Sequence, residues 1–67
     1  SIDVMSPYMT YSVYPYYGII RKDNGKVIVP AIYRNIRMLS ATMFEAQLAK
    51  DNEWTLIDET GKILGNK

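Results

Sequence analysis

Two Gly-Lys pairs, Gly25-Lys26 and Gly61-Lys62, stand 36 positions apart in a chain of 67 residues, each between short apolar runs. Tyr17 to Ile20 and Val27 to Val29 flank the turn of the first, and Trp54 to Ile57 and Lys62 to Leu64 flank that of the second, Asp58-Glu59-Thr60-Gly61. β-Branched and aromatic runs around Asn-Gly or a Gly-containing turn predict strand, turn and strand, with Asn24-Gly25 supplying the positive φ angles of a tight hairpin. Recurrence of such a unit at a period of roughly 20 to 50 residues signals tandem units, each too small to bury its own apolar face and so obliged to share a core.

Aligned on these pairs, Tyr17 to Ile28 matches Trp54 to Leu64 with one extra residue in the first copy. A weaker likeness joins Ile2-Asp3-Val4-Met5-Ser6 to Ile36-Arg37-Met38-Leu39-Ser40. The chain therefore divides as one small β-repeat domain over 1–67: a partial repeat over 1–16, a repeat over 17–53 and a partial repeat over 54–67. Upstream, Met9, Tyr11 and Val13 alternate with Thr10, Ser12 and Tyr14 as in a strand with one buried face. Pro30 cannot donate to a ladder, so it is expected to close a strand or sit at an edge before Ala31 to Met38. Residues 40–50 admit two readings. Thr42 with Glu45 matches a capping box on a short helix, whereas Phe44, Ala46 and Leu48 alternate with Glu45 and Gln47 as in a half-buried strand ending at Asp51-Asn52.

These positions together resemble the WG repeat family. Its units run from an aromatic-Gly pair through an apolar pair, a Gly-Lys turn and an apolar stretch ending in Pro to a Tyr. The matches are Tyr17-Gly18, Ile19-Ile20, Gly25-Lys26, Val27 to Pro30 and Tyr33, then Ile36, Leu39-Ser40, Phe44 to Leu48 and the next aromatic, Trp54. The chain departs from the pattern at Tyr17, where the family has Trp, at Thr55, where it has Gly, and after Leu64, where no Pro follows. The resemblance implies an all-β fold of small antiparallel hairpin repeats, about two of them here, often found in bacterial proteins and with mostly undefined biochemical roles. It makes Tyr17, Gly18, Gly25, Pro30, Tyr33, Trp54 and Gly61 the structural anchors of the repeat. The expected architecture has hairpin turns at Asn24-Gly25, at Asp51-Asn52 and near Gly61, a strand over residues 43–48, and Tyr17, Phe44, Leu48, Trp54 and Ile57 in the core.

Composition narrows the chemistry. With 48% hydrophobic and 22% charged residues the chain is that of a folded domain. Cys is absent, which removes disulfides and thiolate metal sites. His is absent too, which removes the commonest general base, so no catalysis and no cofactor or metal is expected. Asp58-Glu59 and Asp51 with Glu53 fall in turns, where water keeps both carboxylates of a pair ionised. Asp23-Asn24-Gly25 and Asp51-Asn52-Glu53 lack the spacing of a calcium loop. Gly18, Gly25, Gly61 and Gly65 are too scattered to cradle a phosphate. A net charge of +1 offers no long-range attraction for nucleic acid, and no apolar run nears the roughly 20 residues of a membrane helix. No secretory signal is visible, and Ser1 in place of an initiator Met fits a trimmed or excised piece. No compartment is indicated.

Two features carry functional expectations. Residues 1–20 hold one charge, Asp3, and five tyrosines: Tyr8, Tyr11, Tyr14, Tyr16 and Tyr17. Tyrosine combines a flat apolar face with a polar tip, so Tyr8, Tyr11, Tyr14 and Tyr16 form a candidate platform for a carbohydrate or peptide, against the plainer reading of core and strand packing. The basic set Arg21, Lys22, Lys26, Arg34 and Arg37 is spread over two faces by strand alternation and reads as solvated surface. The leading expectation is a structural or protein-interaction module whose open edges meet adjacent repeats or a protein partner, with a homodimer or larger assembly as its isolated state. The runner-up is a ligand-binding module using the tyrosines.

Overall fold

The computed structural model describes residues 6–66, so the likeness of residues 2–5 to residues 36–39 lies outside it. Six strands in chain order form one antiparallel open sheet: β1 (Tyr8–Val13), β2 (Tyr16–Arg21), β3 (Val27–Ser40), β4 (Met43–Leu48), β5 (Trp54–Asp58) and β6 (Ile63–Asn66). There is no helix among the described residues, and the fold is all-β as expected. Residues 43–48 are strand β4: between β3 and β5, burial of Phe44 and Ala46 outweighs the local helix preference.

The predicted turns are present at all three places, each with a residue of positive φ just before it closes: Gly25 at 70°, Asn52 at 61° and Gly61 at 87°. At the first turn only Gly25, not Asn24, has positive φ; Asn24 instead accepts the Lys26 N–H on Oδ1 at 2.9 Å. Arg21 donates its N–H to the Lys26 carbonyl and accepts the Gly25 N–H; Asp58 does the same with Lys62 and Gly61 in a loop one residue shorter. The flanking ladders also correspond. Ile19↔Val29 and Ile20↔Val27 surround a bulge at Ile28, while Leu56↔Gly65 and Ile57↔Ile63 surround one at Leu64.

β3 organises the molecule. At about 3.3 Å per residue its 14 residues would reach about 46 Å straight, yet the longest extent of the molecule is 32 Å. The strand therefore bends. Its first part pairs with β2, its second with β4, and Pro30 to Ile32 lie in the gap between Ile19↔Val29 and Tyr17↔Tyr33. Here expectation is corrected: the strand does not end at Pro30. The ring sits, exposed, where the β2 ladder is interrupted and β4 has not begun, so its missing N–H disrupts no pairing.

The bend folds the sheet over a core of Tyr8, Ile19, Val29, Tyr33, Phe44, Ala46 and Ile57, with Ile28, Ile36, Met38 and Leu48 packed against it. Tyr8 of β1 meets Phe44 of β4 edge to face, centroids 5.6 Å apart, so the first and fourth strands touch across the fold. The β5–β6 turn closes it: a Cβ on Gly61 would stand 2.4 Å from the Ile28 carbonyl oxygen. Burying each large core side chain contributes about 1.5 to 3 kcal/mol.

Two expected core residues are elsewhere. Tyr17 is 42% exposed, because it stands opposite Tyr33 where the ladder breaks and Tyr33 fills the interior place. Trp54 is half-buried: it pairs with Gln47 and so projects from the face opposite Phe44 and Ala46. Leu48, at the end of β4, is also only half-buried. Phe44 and Ile57 are buried as expected.

Candidate functional site

The expected tyrosine platform is divided by the pleat. Tyr8 is 7% exposed, covered by Phe44 on one side and by the Arg21 guanidinium, 5.5 Å from its ring centroid, on the other. It is a core residue and not a binding surface. Tyr11 stands opposite Gly18 and is half-buried; a Cβ on Gly18 would lie 2.6 Å from the Tyr11 ring and 2.3 Å from the Val29 carbonyl oxygen. Glycine at this position lets the tyrosine lie flat on β2. Tyr14 is 94% exposed, in the β1–β2 turn, where the Tyr14-Pro15 peptide is cis. Neighbouring residues of a strand point to opposite faces, so Tyr16 and Tyr17 cannot form one stacked plane.

The two are nevertheless brought together at the start of β2. Tyr16 and Tyr17 line a shallow groove with Arg34 and Asn35 of β3 and Ala49 beyond β4. The groove continues from Tyr16 along Ala31, Ile32 and Leu48 to Lys50. Ile32 is 51% exposed, leaving an apolar floor between an aromatic wall and two cationic ends. Of the sequence candidates, Tyr16 belongs to this groove, Tyr14 stands at the turn tip, and Tyr11 lies on β1. Ile32, Leu48 and Ala49 were not legible as its partners, because they meet Tyr16 only through the bend in β3.

A second constellation, on the face away from the core, escaped the sequence reading. Arg37, Glu45 and Leu56 are successive partners across β3, β4 and β5. The Glu45 side chain is 1% exposed and Oε1 accepts a hydrogen bond from Arg37 Nη1 at 3.0 Å. The same guanidinium lies over the Trp54 ring, 4.1 Å from its centroid. A cation so placed gains about 0.5 to 2 kcal/mol. The arrangement spends the charges of Arg37 and Glu45 on each other and on the ring, which is how a structural ion pair is built.

The other basic residues do not converge. Arg21 makes a bidentate contact with Asp23, 2.9 Å to each oxygen, and that contact holds the Asp23 carboxyl below its ordinary value. Arg34 donates to the Asn52 side chain. The carboxylates serve turns. Asp58 Oδ1 accepts from the Thr60 hydroxyl and N–H and from the Lys62 N–H, and the Thr60 hydroxyl does most to hold its carboxyl below the usual range. Asp51 Oδ1 accepts the Glu53 N–H at 3.0 Å. Among the described residues no three Asp or Glu side chains gather where a metal ion could sit.

No family model, curated protein or solved structure matches the chain.

Proposed function

We propose that this chain is a non-catalytic β-repeat module, one stretch of a longer bacterial array resembling WG repeats, whose surfaces hold adjacent repeats or a protein partner. The observation that carries the reading is the double construction of one hairpin. β2–β3 and β5–β6 share their turn hydrogen bonds, their αL glycine and the position of their bulge. Support also comes from the second hairpin's surface, where Leu64 remains 46% exposed at the aligned place of the half-buried Ile28. Ile28 is covered by the Gly61 turn, and Leu64 is where a following unit would bring its own turn. A chain with a second copy of residues 17–53 inserted after residue 53 tests this. The expected result is a single cooperative denaturant transition at a higher midpoint with a steeper slope, as neighbouring units add interface. A separate transition for the inserted copy, or a lower midpoint, overturns the module.

One observation favours a second reading: the groove of Tyr16, Tyr17, Ile32 and Leu48 is the concave surface into which a sugar ring or an extended peptide would stack. Saturable binding of an oligosaccharide that is lost in Tyr16→Ala would establish it in place of the first.

A further inference from the structure

The two edges of the sheet are unlike. β6 is four residues long, contains Gly65 at φ 133° and follows Lys62, features that shorten and blunt an edge. β1 is six residues of Tyr-Met-Thr-Tyr-Ser-Val with no charge and no proline, and it pairs with β2 without a register shift. Among the described residues it has none of the usual protections of an exposed edge.

The direction of its backbone groups follows from one hydrogen bond. Lys22 donates its N–H to the Pro7 carbonyl at 2.8 Å, so Pro7 faces β2. Alternation in an antiparallel ladder then turns Met9, Tyr11 and Val13 toward β2 and turns Thr10 and Ser12 away. The Tyr8 N–H, also outward, is taken by Ser6 Oγ at 3.1 Å. The N–H and C=O groups of Thr10 and Ser12 thus lie along the edge that no other described strand covers, separated by one residue.

We propose that β1 pairs with β1 of a second copy of this chain, antiparallel about a two-fold axis at Tyr11, joining two six-stranded sheets. This register makes Thr10 and Ser12 a hydrogen-bonded pair in both directions, so four backbone bonds form and none of those groups is left over. It sets Tyr11 opposite Tyr11 of the second copy, and Met9 opposite Val13 of that copy in both directions. Met9 and Val13 are 44% and 60% exposed and share the face of Tyr11, so an aromatic and aliphatic cross-strand ladder forms where each chain alone leaves apolar surface in water. With no charge on β1, like charges do not meet across the axis, as they would wherever a charged edge pairs with itself. The occupant is therefore the same strand: in this register its edge groups and its exposed side chains are both self-complementary. The dimer deepens the reading of the chain as an interaction module, but its test is separate from the insertion experiment and either can fail alone.

Sedimentation at 1 to 200 µM reads the mass, and the expected value rises to twice the 7.7 kDa of the chain. Thr10→Pro removes an outward N–H and leaves the β2 ladder complete, so it is expected to return the mass to that of one chain while keeping the strand-type circular dichroism spectrum. Because the chain has no cysteine, register can be read independently of that variant's folding. Opposed residues in a non-hydrogen-bonded pair lie about 4.5 Å apart at Cα, within disulfide reach. Tyr11→Cys is expected to cross-link to a dimer under oxidised glutathione, and Ile63→Cys, on the blunted edge, is expected to remain a single chain. A wild-type chain of 7.7 kDa throughout, a Thr10→Pro variant that still dimerises, or equal cross-linking of Tyr11→Cys and Ile63→Cys overturns the proposal.

Discussion

Asp58 and Tyr33 show how single residues tie this fold to pH in opposite directions. Asp58 organises the β5–β6 turn as a carboxylate, accepting the Thr60 hydroxyl at 2.6 Å, and its protonation equilibrium lies below the ordinary value. A carboxyl whose folded value is depressed contributes stability above its unfolded value, and that contribution is lost as pH falls through the folded one. Tyr33 behaves inversely. Burial raises its phenol, so its contribution is complete below the unfolded value of about 10 and is lost as pH rises beyond it. The expected profile of denaturation midpoint against pH is a plateau with an acid and an alkaline limb. Asp58→Asn should lessen the acid limb and Tyr33→Phe the alkaline one; an unchanged profile in either variant refutes the assignment of that limb.

At the scale of elements, the three strands β3, β4 and β5 are held twice. One face carries Met38, Phe44 and Ile57, and the other carries Arg37, Glu45 and Leu56. Glu45 is as deeply buried as the core side chains, and its carboxylate takes a hydrogen bond from the Arg37 guanidinium, which in turn is stacked on Trp54. Removing a partner from a buried carboxylate costs more than the pair itself contributes. Arg37→Ala is expected to destabilise by about 1 to 3 kcal/mol, discounted for the exposure of the arginine. It should also shift the emission of Trp54, the sole tryptophan. Arg37→Lys keeps the charge without the planar stack and should recover only part of the loss. An Arg37→Ala variant with wild-type stability and emission would show that Trp54 and Glu45 are indifferent to it.

For the molecule as a whole, the decisive feature is that strands from both ends of the chain share one core. Tyr8, Ile19, Val29 and Tyr33 form one cluster with Phe44, Ala46 and Ile57 of β4 and β5, and Tyr8 meets Phe44 directly. A chain under about 70 to 80 residues rarely holds more than about 3 to 5 kcal/mol in reserve, and this one has no disulfide to add to it. Residues 6–40 alone are therefore expected to give a disordered circular dichroism spectrum, whereas residues 6–66 give a strand spectrum with a single cooperative melt. A folded 6–40 fragment would mean that the β1–β2–β3 meander closes its own core.

Local chemistry settled the strands and turns. Gly25, Asn52 and Gly61 can each take positive φ with little strain, the apolar runs between them alternate or are β-branched, and both signals act over a few residues, so all six strands, β3 without its continuity through Pro30, and three of the hairpin turns could be read in order. The likeness of the two Gly-Lys hairpins was legible for the same reason. Which residue of an aligned pair enters the core was not. Tyr17 and Trp54 occupy the same place in their hairpins, yet the cumulative register from Tyr17↔Tyr33 through Tyr33↔Leu48 to Gln47↔Trp54 places them on opposite faces of the sheet. A shift of one residue exchanges the faces of a whole strand, and such shifts at the bulges of β3 leave no mark in composition or spacing. The groove at Tyr16, the ion pair beneath Trp54 and the burial of Tyr8 all follow from that register and from the bend at Pro30. They belong to the sheet, because each needs side chains from strands that only hydrogen bonding between distant segments aligns.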